Sequence, residues 1–183
     1  MEELSLHILD IVENSLEAGA RRVQIRIRES RREDRLWIEI VDDGAGMGEN
    51  EAGKASDPFF TTRTTRRVGL GLALLEQAAK AAGGQVRIES CRGAGTTVAA
   101  VFQYCHVDRQ PLGNMEDTLL TLIAGHPQTE FEYSHVTEEG EASFSTAEIR
   151  EQLHGGRLNS PEGLSALRKS LERLRTPADT ARR

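Results

Sequence analysis

The sequence predicts an α+β fold, a mixed or antiparallel sheet with helices on one face, because helical and strand periods alternate through residues 1–103. Apolar residues from Leu4 to Leu16 recur at helical spacing, whereas the strand segments alternate apolar and polar side chains. The predicted elements are a helix at 4–18, strands at 23–28 and 36–41, a loop at 44–68, a helix at 69–82 and a hairpin at 86–102. A loop of that length inside a compact domain is usually functional.

The balance of charges changes after residue 103. Residues 104–151 carry 2 basic and 10 acidic side chains, whereas residues 1–103 are nearly balanced. This change predicts a first domain over 1–103 and a small C-terminal α+β appendage over 104–183, whose role the sequence does not indicate. The appendage is predicted to contain helices at 115–124, from Ser145 and from Ser160, and a hairpin over 131–144.

Composition excludes several classes of protein. The chain has 183 residues, of which 38% are hydrophobic and 28% charged, so a buried core is expected. The net charge of −6 argues against a nucleic-acid binder, which normally shows a basic surface. No apolar run approaches the ~18 residues of a membrane span, and the two cysteines cannot form a disulfide framework. The sequence therefore predicts a cytoplasmic protein with neither a membrane nor a nucleic-acid partner.

The first helix carries a polar stripe beside its apolar face. At 100° per residue, His7, Asp10 and Asn14 fall on this stripe. A carboxylate can orient a water or accept a proton, and an amide oxygen can ligate Mg²⁺. The alternative is the ordinary polar margin of an amphipathic helix.

A glycine-containing segment, Asp42-Asp43-Gly44-Ala45-Gly46-Met47, directly follows the second predicted strand. Its glycines allow the backbone to approach a ligand closely or to adopt positive φ. An aspartate at a strand end can accept a hydrogen bond from an amino group, such as that of adenine. Taken alone, this segment is equally typical of a turn.

Two further glycine motifs follow. Gly69-Leu70-Gly71-Leu72 opens a helix, where free N–H groups and the positive end of the dipole can hold phosphate, although tight helix packing would also favour glycine. Gly95-Thr96 lies in a hairpin turn, from which the threonine hydroxyl could reach a base. A structural turn explains this second motif equally well.

Together, the four motifs resemble the Bergerat-type ATP-binding fold shared by gyrase, Hsp90 chaperones, histidine kinases and MutL, over residues 4–103. The resemblance implies ATP and Mg²⁺ as cofactors, with Asp10 as the catalytic carboxylate and Asn14 as the Mg²⁺ ligand. The nucleotide-binding residues that it implies are Asn14, Asp42, Gly44, Gly46, Met47, Arg63, Gly69, Leu70, Gly71, Leu72 and Thr96.

Two segments point to different branches of this superfamily. Residues 13–20 resemble the first motif of MutL, whereas Asp57-Pro58-Phe59-Phe60-Thr61-Thr62-Arg63 resembles sensor histidine kinases. Gly46 and Gly69 lie 23 positions apart, a short lid of the kinase or anti-sigma-factor kind. Two departures from the family pattern stand out: Asp10 occupies the place of the catalytic Glu, which predicts slow hydrolysis, and Arg67-Val68 replaces the usual Gly-Thr/Ser.

The resemblance implies an enzyme, a soluble protein kinase of the anti-sigma-factor type that transfers the γ-phosphate to a partner protein. A nucleotide-dependent regulatory switch with little or no catalysis is the alternative, and a MutL-like ATPase clamp is a weaker one. The implied partner is a protein phosphoacceptor, for which an anaerobic redox-enzyme system is a candidate. A homodimer is left open.

Overall fold

The computed structural model describes residues 3–48, 70–154 and 156–172. Within these ranges the chain forms five helices: α1 (Leu4–Glu17), α2 (Leu70–Ala81), α3 (Met115–Gly125), α4 (Thr146–Gln152) and α5 (Pro161–Leu171). None of these described helices combines the length and the apolar composition needed to cross a bilayer. The strands are β1 (Arg22–Ser30), β2 (Arg35–Asp42), β3 (Gln85–Cys91), β4 (Gly95–Gln103), β5 (Glu130–Thr137) and β6 (Gly140–Ser145).

The six strands form one mixed sheet, in the order β3-β4-β2-β1-β5-β6. The neighbouring pairs are antiparallel except β1 and β5, which run parallel. Parallel neighbours need a long crossover connection, and the chain between β1 and β5 includes β2, α2, β3, β4 and α3. The predicted mixed sheet is therefore confirmed.

The two faces of the sheet differ in polarity, because side chains alternate along each strand. Ile25 lies opposite Ile40 in the register of β1 and β2, and both side chains are buried under the helices. On the other face, Arg26 donates to Glu39 over 2.7 Å, and both side chains remain partly exposed. Burying each isoleucine contributes about 1.5–3 kcal/mol. The predicted α+β fold, with helices on one face of the sheet, is thus confirmed.

Helix α1 begins without a side-chain cap and is held by a distant segment. This segment, residues 104–114, is called the strap below. Leu4 N donates to Pro111 O over 3.0 Å, and Ser5 N donates to Leu112 O over 2.7 Å, which satisfies two of the N–H groups that a helix start leaves unpaired. A Cβ at Gly113, whose φ is +86°, would collide with the side chains of Glu3 and Ser5. The strap therefore fits closely against the start of α1.

The chain beyond residue 103 shares the sheet with the first part. β5 pairs with β1, and α3 packs against α1, where His126 Nε2 lies 3.4 Å from Glu13 Oε2. The strap and α3 thus contact α1 near both of its ends. The boundary at residue 103 stays a prediction, but the two parts are joined by β-sheet hydrogen bonds as well as by covalent connection.

His7 belongs to the contact between α1 and the strap. Its side chain is buried, and Nε2 lies 3.0 Å from Gln110 Oε1, which can only accept and so requires the proton on Nε2. Nδ1 has no hydrogen-bond partner among the described residues. Burial lowers the pKa of His7 from its usual 6.5, and the hydrogen bond with Gln110 only partly opposes this effect. The surroundings of His7 therefore favour its neutral imidazole over the protonated form.

We expect the free energy of unfolding to fall as the pH is lowered through 6.5, because the unfolded chain binds a proton that folded His7 resists. Urea unfolding on either side of this pH measures the change. His7→Asn keeps a neutral donor and should lose part of the pH dependence. His154→Asn, at an exposed histidine, is the control and should retain it. Equal pH dependence in His7→Asn and the unmodified chain would contradict this account.

Candidate functional site

The carboxylate of Asp42 is the centre of the candidate site. Asp42 ends β2, and only 8% of its surface is exposed. Its Oδ1 accepts hydrogen bonds from Gly44 N over 2.9 Å and from Thr96 N over 3.2 Å. Its Oδ2 accepts from Ser15 Oγ over 2.6 Å. These described donors occupy three of the four lone pairs of the carboxylate, which leaves one on Oδ2 for a ligand.

Ser15 connects this carboxylate to α1. The residue is buried, it follows Asn14 directly in the chain, and its hydroxyl also lies 3.3 Å from Ile11 O. The hydroxyl has one hydrogen, and the 2.6 Å distance to an anionic oxygen identifies Asp42 as the main acceptor. Sequence reasoning assigned Ser15 no role of its own, although the residue falls on the apolar stripe of the helix. A hydroxyl in that otherwise apolar stripe was the signal that could have identified it.

The loop after β2 is held close to its neighbours by its glycines. Gly46 has φ +63°, and a Cβ there would collide with the carbonyl of Cys91 in β3. A Cβ at Gly44 would lie 3.0 Å from Asp42 Oδ1 and 3.2 Å from Ala18 Cβ. Both glycines are explained by close packing, because the loop lies against the end of α1 at Gly44 and against the β3–β4 turn at Gly46. This packing brings the loop against Asp42.

A pair of hydroxyls lies beside Asp42. Ser90 Oγ in β3 and Thr96 Oγ1 in β4 are 2.9 Å apart. Ser90 Oγ also accepts from Met47 N over 2.7 Å and donates to Gly95 O over 3.1 Å. Sequence reasoning selected Thr96 and Met47 but missed Ser90, because a serine in an alternating strand carries no separate signal.

The polar stripe of α1 faces the first turn of α2. A Cβ built on Gly71 would lie 3.2 Å from Asp10 Cβ and 3.6 Å from Asn14 Nδ2, so the two helices are in close contact there. Asp10 and Asn14 are both partly exposed. Because α2 begins at Leu70, the N–H groups that a helix start leaves without an intrahelical partner and the positive end of its dipole lie next to this stripe.

The structure therefore gathers the sequence-predicted residues into two groups. The group on the base side consists of Asp42, Gly44, Gly46, Met47 and Thr96. The group on the phosphate side consists of Asp10, Asn14 and Gly71. Ser15 and Asn14, adjacent on α1, link the two. Leu72 packs against the core. Arg63 and Gly69 lie outside the described residues, and Leu70 is described only as the first residue of α2. The binding roles of all these residues stay predictions.

The residues present fit a magnesium nucleotide. The remaining lone pair of Asp42 can accept from an amino group, and Asn14 offers an amide oxygen, which can ligate Mg²⁺. Among the described residues, no group of three or more His, Cys, Asp or Glu side chains is placed to hold a metal ion. A divalent cation at Asn14 would accordingly share its coordination with phosphate oxygens and water, as Mg²⁺ usually does.

This chain is similar to known histidine kinases. It is 36% identical over 102 residues to the signal transduction histidine-protein kinase AtoS of Escherichia coli, and 32% identical over 107 residues to the sensor histidine kinase WalK of Bacillus subtilis. The two alignments include 55% and 53% of this chain. They cover only 17% of each kinase, so most of each relative's length has no counterpart here.

Two solved structures align with this chain. The N-terminal domain of a DNA repair protein aligns with 98% of this chain and 59% of its own, with a TM-score of 0.53 and 14% identity, which bears on the fold alone. The mycobacterial sensor histidine kinase MprB aligns with 52% of this chain and 66% of its own, with a TM-score of 0.43 and 25% identity.

The family model described as histidine kinase-, DNA gyrase B-, and HSP90-like ATPase matches residues 2–105. The match includes α1, β1, β2, α2, β3 and β4, the elements that carry both groups of the site. It covers more than half of the chain. The chain therefore belongs to this family, and residues 2–105 form its ATP-binding domain.

Proposed function

We propose that this protein binds ATP with Mg²⁺ and acts as a protein kinase of the anti-sigma-factor type, transferring the γ-phosphate to a partner protein. The observation that carries the proposal is the continuity of the site along α1. Ser15 holds Asp42, while Asn14 and Asp10 meet the first turn of α2. One helix thereby fixes the distance between the residues on the base side and the residues on the phosphate side.

Asp42 would read adenine. Its carboxylate is oriented by three described donors, and its remaining lone pair suits the exocyclic amino group of the base. Gly44 and Gly46 would let the loop backbone approach the base, and Met47 and Thr96 would line the same end of the site. Burial makes this contact selective, because an unpaired buried acceptor costs about 1–3 kcal/mol.

Asn14 would hold Mg²⁺, which neutralises polyphosphate charge, and the helix start at Gly69, Leu70 and Gly71 would bind the phosphates through backbone N–H groups. Leu72 would support this turn from the core side. Arg63, from outside the described residues, would contact the polyphosphate as a cation. Asp10 would orient the acceptor or a water near the γ-phosphate.

The proposed transfer breaks the bond between the γ-phosphorus and the oxygen that bridges it to the β-phosphate. A new bond forms between that phosphorus and a side chain of the acceptor, whose proton passes to a base, and ADP leaves. Positioning and charge stabilisation account for most of the rate in such reactions. A Cβ built on Gly71 in α2 would lie 3.5 Å from Asp10 Oδ2, which supports Asp10 as the positioning or proton-accepting group.

A second candidate function is a nucleotide-dependent switch with little catalysis. The residue that favours it is Asp10, whose side chain is one methylene shorter than the glutamate of hydrolysing relatives and so withdraws the carboxylate by about 1.5 Å. A misplacement near 1 Å can lower a rate by about 10²-fold. Long-lived bound ATP would then control a surface for a partner protein.

We further propose a cytoplasmic protein in which residues 104–183 act as an appendage that braces α1. The contacts of Pro111 and Leu112 with the helix start, and of His126 with Glu13, support this role. A phosphoacceptor in an anaerobic redox-enzyme system and a homodimer also remain part of the proposal.

Replacing Asp42 with Asn should weaken ATP binding about 5- to 150-fold, because an amide nitrogen would face the amino group of the base. Asn14→Ala should weaken binding of ATP with Mg²⁺ by a similar factor, with a smaller effect in the absence of the cation. Titration calorimetry measures both. Asp43→Asn is the matched control, since Asp43 accepts from Arg21 N and Arg22 N instead. Unchanged affinity in both site variants would contradict the site assignment.

Incubation with γ-labelled ATP and a lysate of the source cells should label a protein band that depends on this chain. The band should be absent with Asn14→Ala, because the cation site is lost. Gel autoradiography and a phosphate-release assay provide the measurements. Tight ATP binding without a labelled band or released phosphate would contradict the kinase and support the switch.

Replacing Asp10 with Glu should raise the rate of phosphate release by about tenfold or more, because the added methylene moves the carboxylate back toward the γ-phosphate of the proposed ATP. Asp108→Glu makes the same chemical change at an exposed residue of the strap and should leave the rate unchanged. The unfolding temperature of each variant shows whether the fold is preserved. A rate that stays the same or falls in a folded Asp10→Glu variant would exclude the carboxylate's position as the limiting factor.

A further inference from the structure

The outer edge of β3 is open to a further strand in the part of the chain that the structure describes. β3 lies at one end of the sheet, where β4 pairs with its inner edge. Along the outer edge, no other described strand pairs with its seven residues, Gln85–Cys91. A further strand could add there, because antiparallel pairing satisfies the backbone N–H and C=O groups of an edge.

The side chains of β3 alternate between two kinds of surface. Val86 and Ile88 lie on the helix-covered face, where both pack against the core but stay partly exposed. Arg87 and Glu89 lie on the other face, with 77% and 60% of their side chains exposed. Arg87 Nη2 lies 2.7 Å from Glu89 Oε1 within the strand. The edge thus combines incompletely buried apolar side chains with one basic and one acidic side chain.

These charges select one register for pairing β3 with the β3 strand of a second copy. In a two-fold antiparallel pair, one residue lies opposite its own copy, because only residues on the same face are directly opposed. Centring on Ile88 places Arg87 opposite the second copy's Glu89, and Glu89 opposite the second copy's Arg87. Centring on Arg87 or on Glu89 would place like charges directly opposite each other, which is destabilising.

We propose that two copies of this chain associate through their β3 edges, antiparallel and centred on Ile88, into one continuous sheet. Ion pairs between Arg87 and Glu89 would join the copies on the open face of the sheet. On the helix-covered face, Ile88 would lie opposite its own copy and become more buried. The inference rests on the proposed function only for the homodimer, to which it gives an interface, and not for the binding of ATP.

The opposite edge of the sheet lacks this complementarity. β6 (Gly140–Ser145) has Glu141 as its only charged side chain, so a pair of β6 strands would gain no ion pair in any register. Charged side chains on an edge strand commonly prevent association. Opposite charges placed symmetrically about a central residue instead favour a single pairing, and this pattern distinguishes β3 from β6.

Sedimentation velocity of the full chain, at micromolar concentrations and low salt, tests the interface. The unmodified chain should form a dimer that weakens as the salt concentration rises. Arg87→Glu and Glu89→Arg each place two pairs of like charges across the interface, so each should weaken the dimer by about tenfold or more. Lys80→Glu breaks the exposed ion pair with Glu76 on α2 and, as the matched control, should leave assembly unchanged.

Mixing the two variants separates a contact between copies from an effect within one copy. The Arg87→Glu chain has two acidic side chains on β3, and the Glu89→Arg chain has two basic ones. A mixed pair therefore has opposite charges at both positions, and mixing should restore a dimer at a concentration where neither variant forms one alone. Loss of the ion pair within each strand predicts no such rescue.

The outcomes separate this inference from the binding of ATP, which calorimetry on the same samples measures. An unmodified chain that stays monomeric, a dimer that both charge reversals leave unchanged, or folded variants that mixing does not restore would overturn the β3 interface alone. Failure of the unmodified dimer to bind ATP would overturn the proposed binding alone. The unfolding temperature shows that each variant is folded, and Arg87→Gln with Glu89→Gln, which should weaken the dimer less, replace a reversal that does not fold.

Discussion

The hydrogen bond from Ser15 to Asp42 joins the helical layer to the sheet at the point on which the candidate site depends. It is short, buried and directed to an anionic oxygen, which makes it one of the stronger hydrogen bonds available to a protein. Because Asn14 precedes Ser15 in the chain, the same bond also fixes the polar stripe of α1. One helix therefore fixes the positions of the residues on the base side relative to those on the phosphate side.

The position of α1 depends in turn on residues far along the chain. The strap supplies the carbonyls that accept from the first N–H groups of α1, and His7 contacts Gln110 through a neutral imidazole. α3 packs against the same helix, and β5 extends the sheet beside β1. The region after residue 103 is thus connected physically to the site through α1.

Donor and acceptor chemistry limits what this site can bind. The remaining lone pair of Asp42 suits an amino-bearing base, and the amide oxygen of Asn14 suits a hard cation with phosphate. Under the proposed function, the shorter carboxylate of Asp10 would slow hydrolysis more than binding, since hydrolysis needs an accurately placed base. A long-lived complex with ATP is compatible with both the kinase and the switch.

Sequence alone determined the elements and most of the candidate residues, because a helical period, a strand alternation and a glycine next to a strand end are properties of neighbouring residues. Asp10, Asn14, Asp42 and Gly71 could be selected in this way. Only the tertiary structure decided the partners: Ser15 meets Asp42 across 27 positions, and His7 meets Gln110 across 103. Such contacts follow from the register of paired strands and from the packing of helices on them, and no local period encodes either. The same reason explains why Ser90 and the parallel pairing of β5 with β1 could not be foreseen.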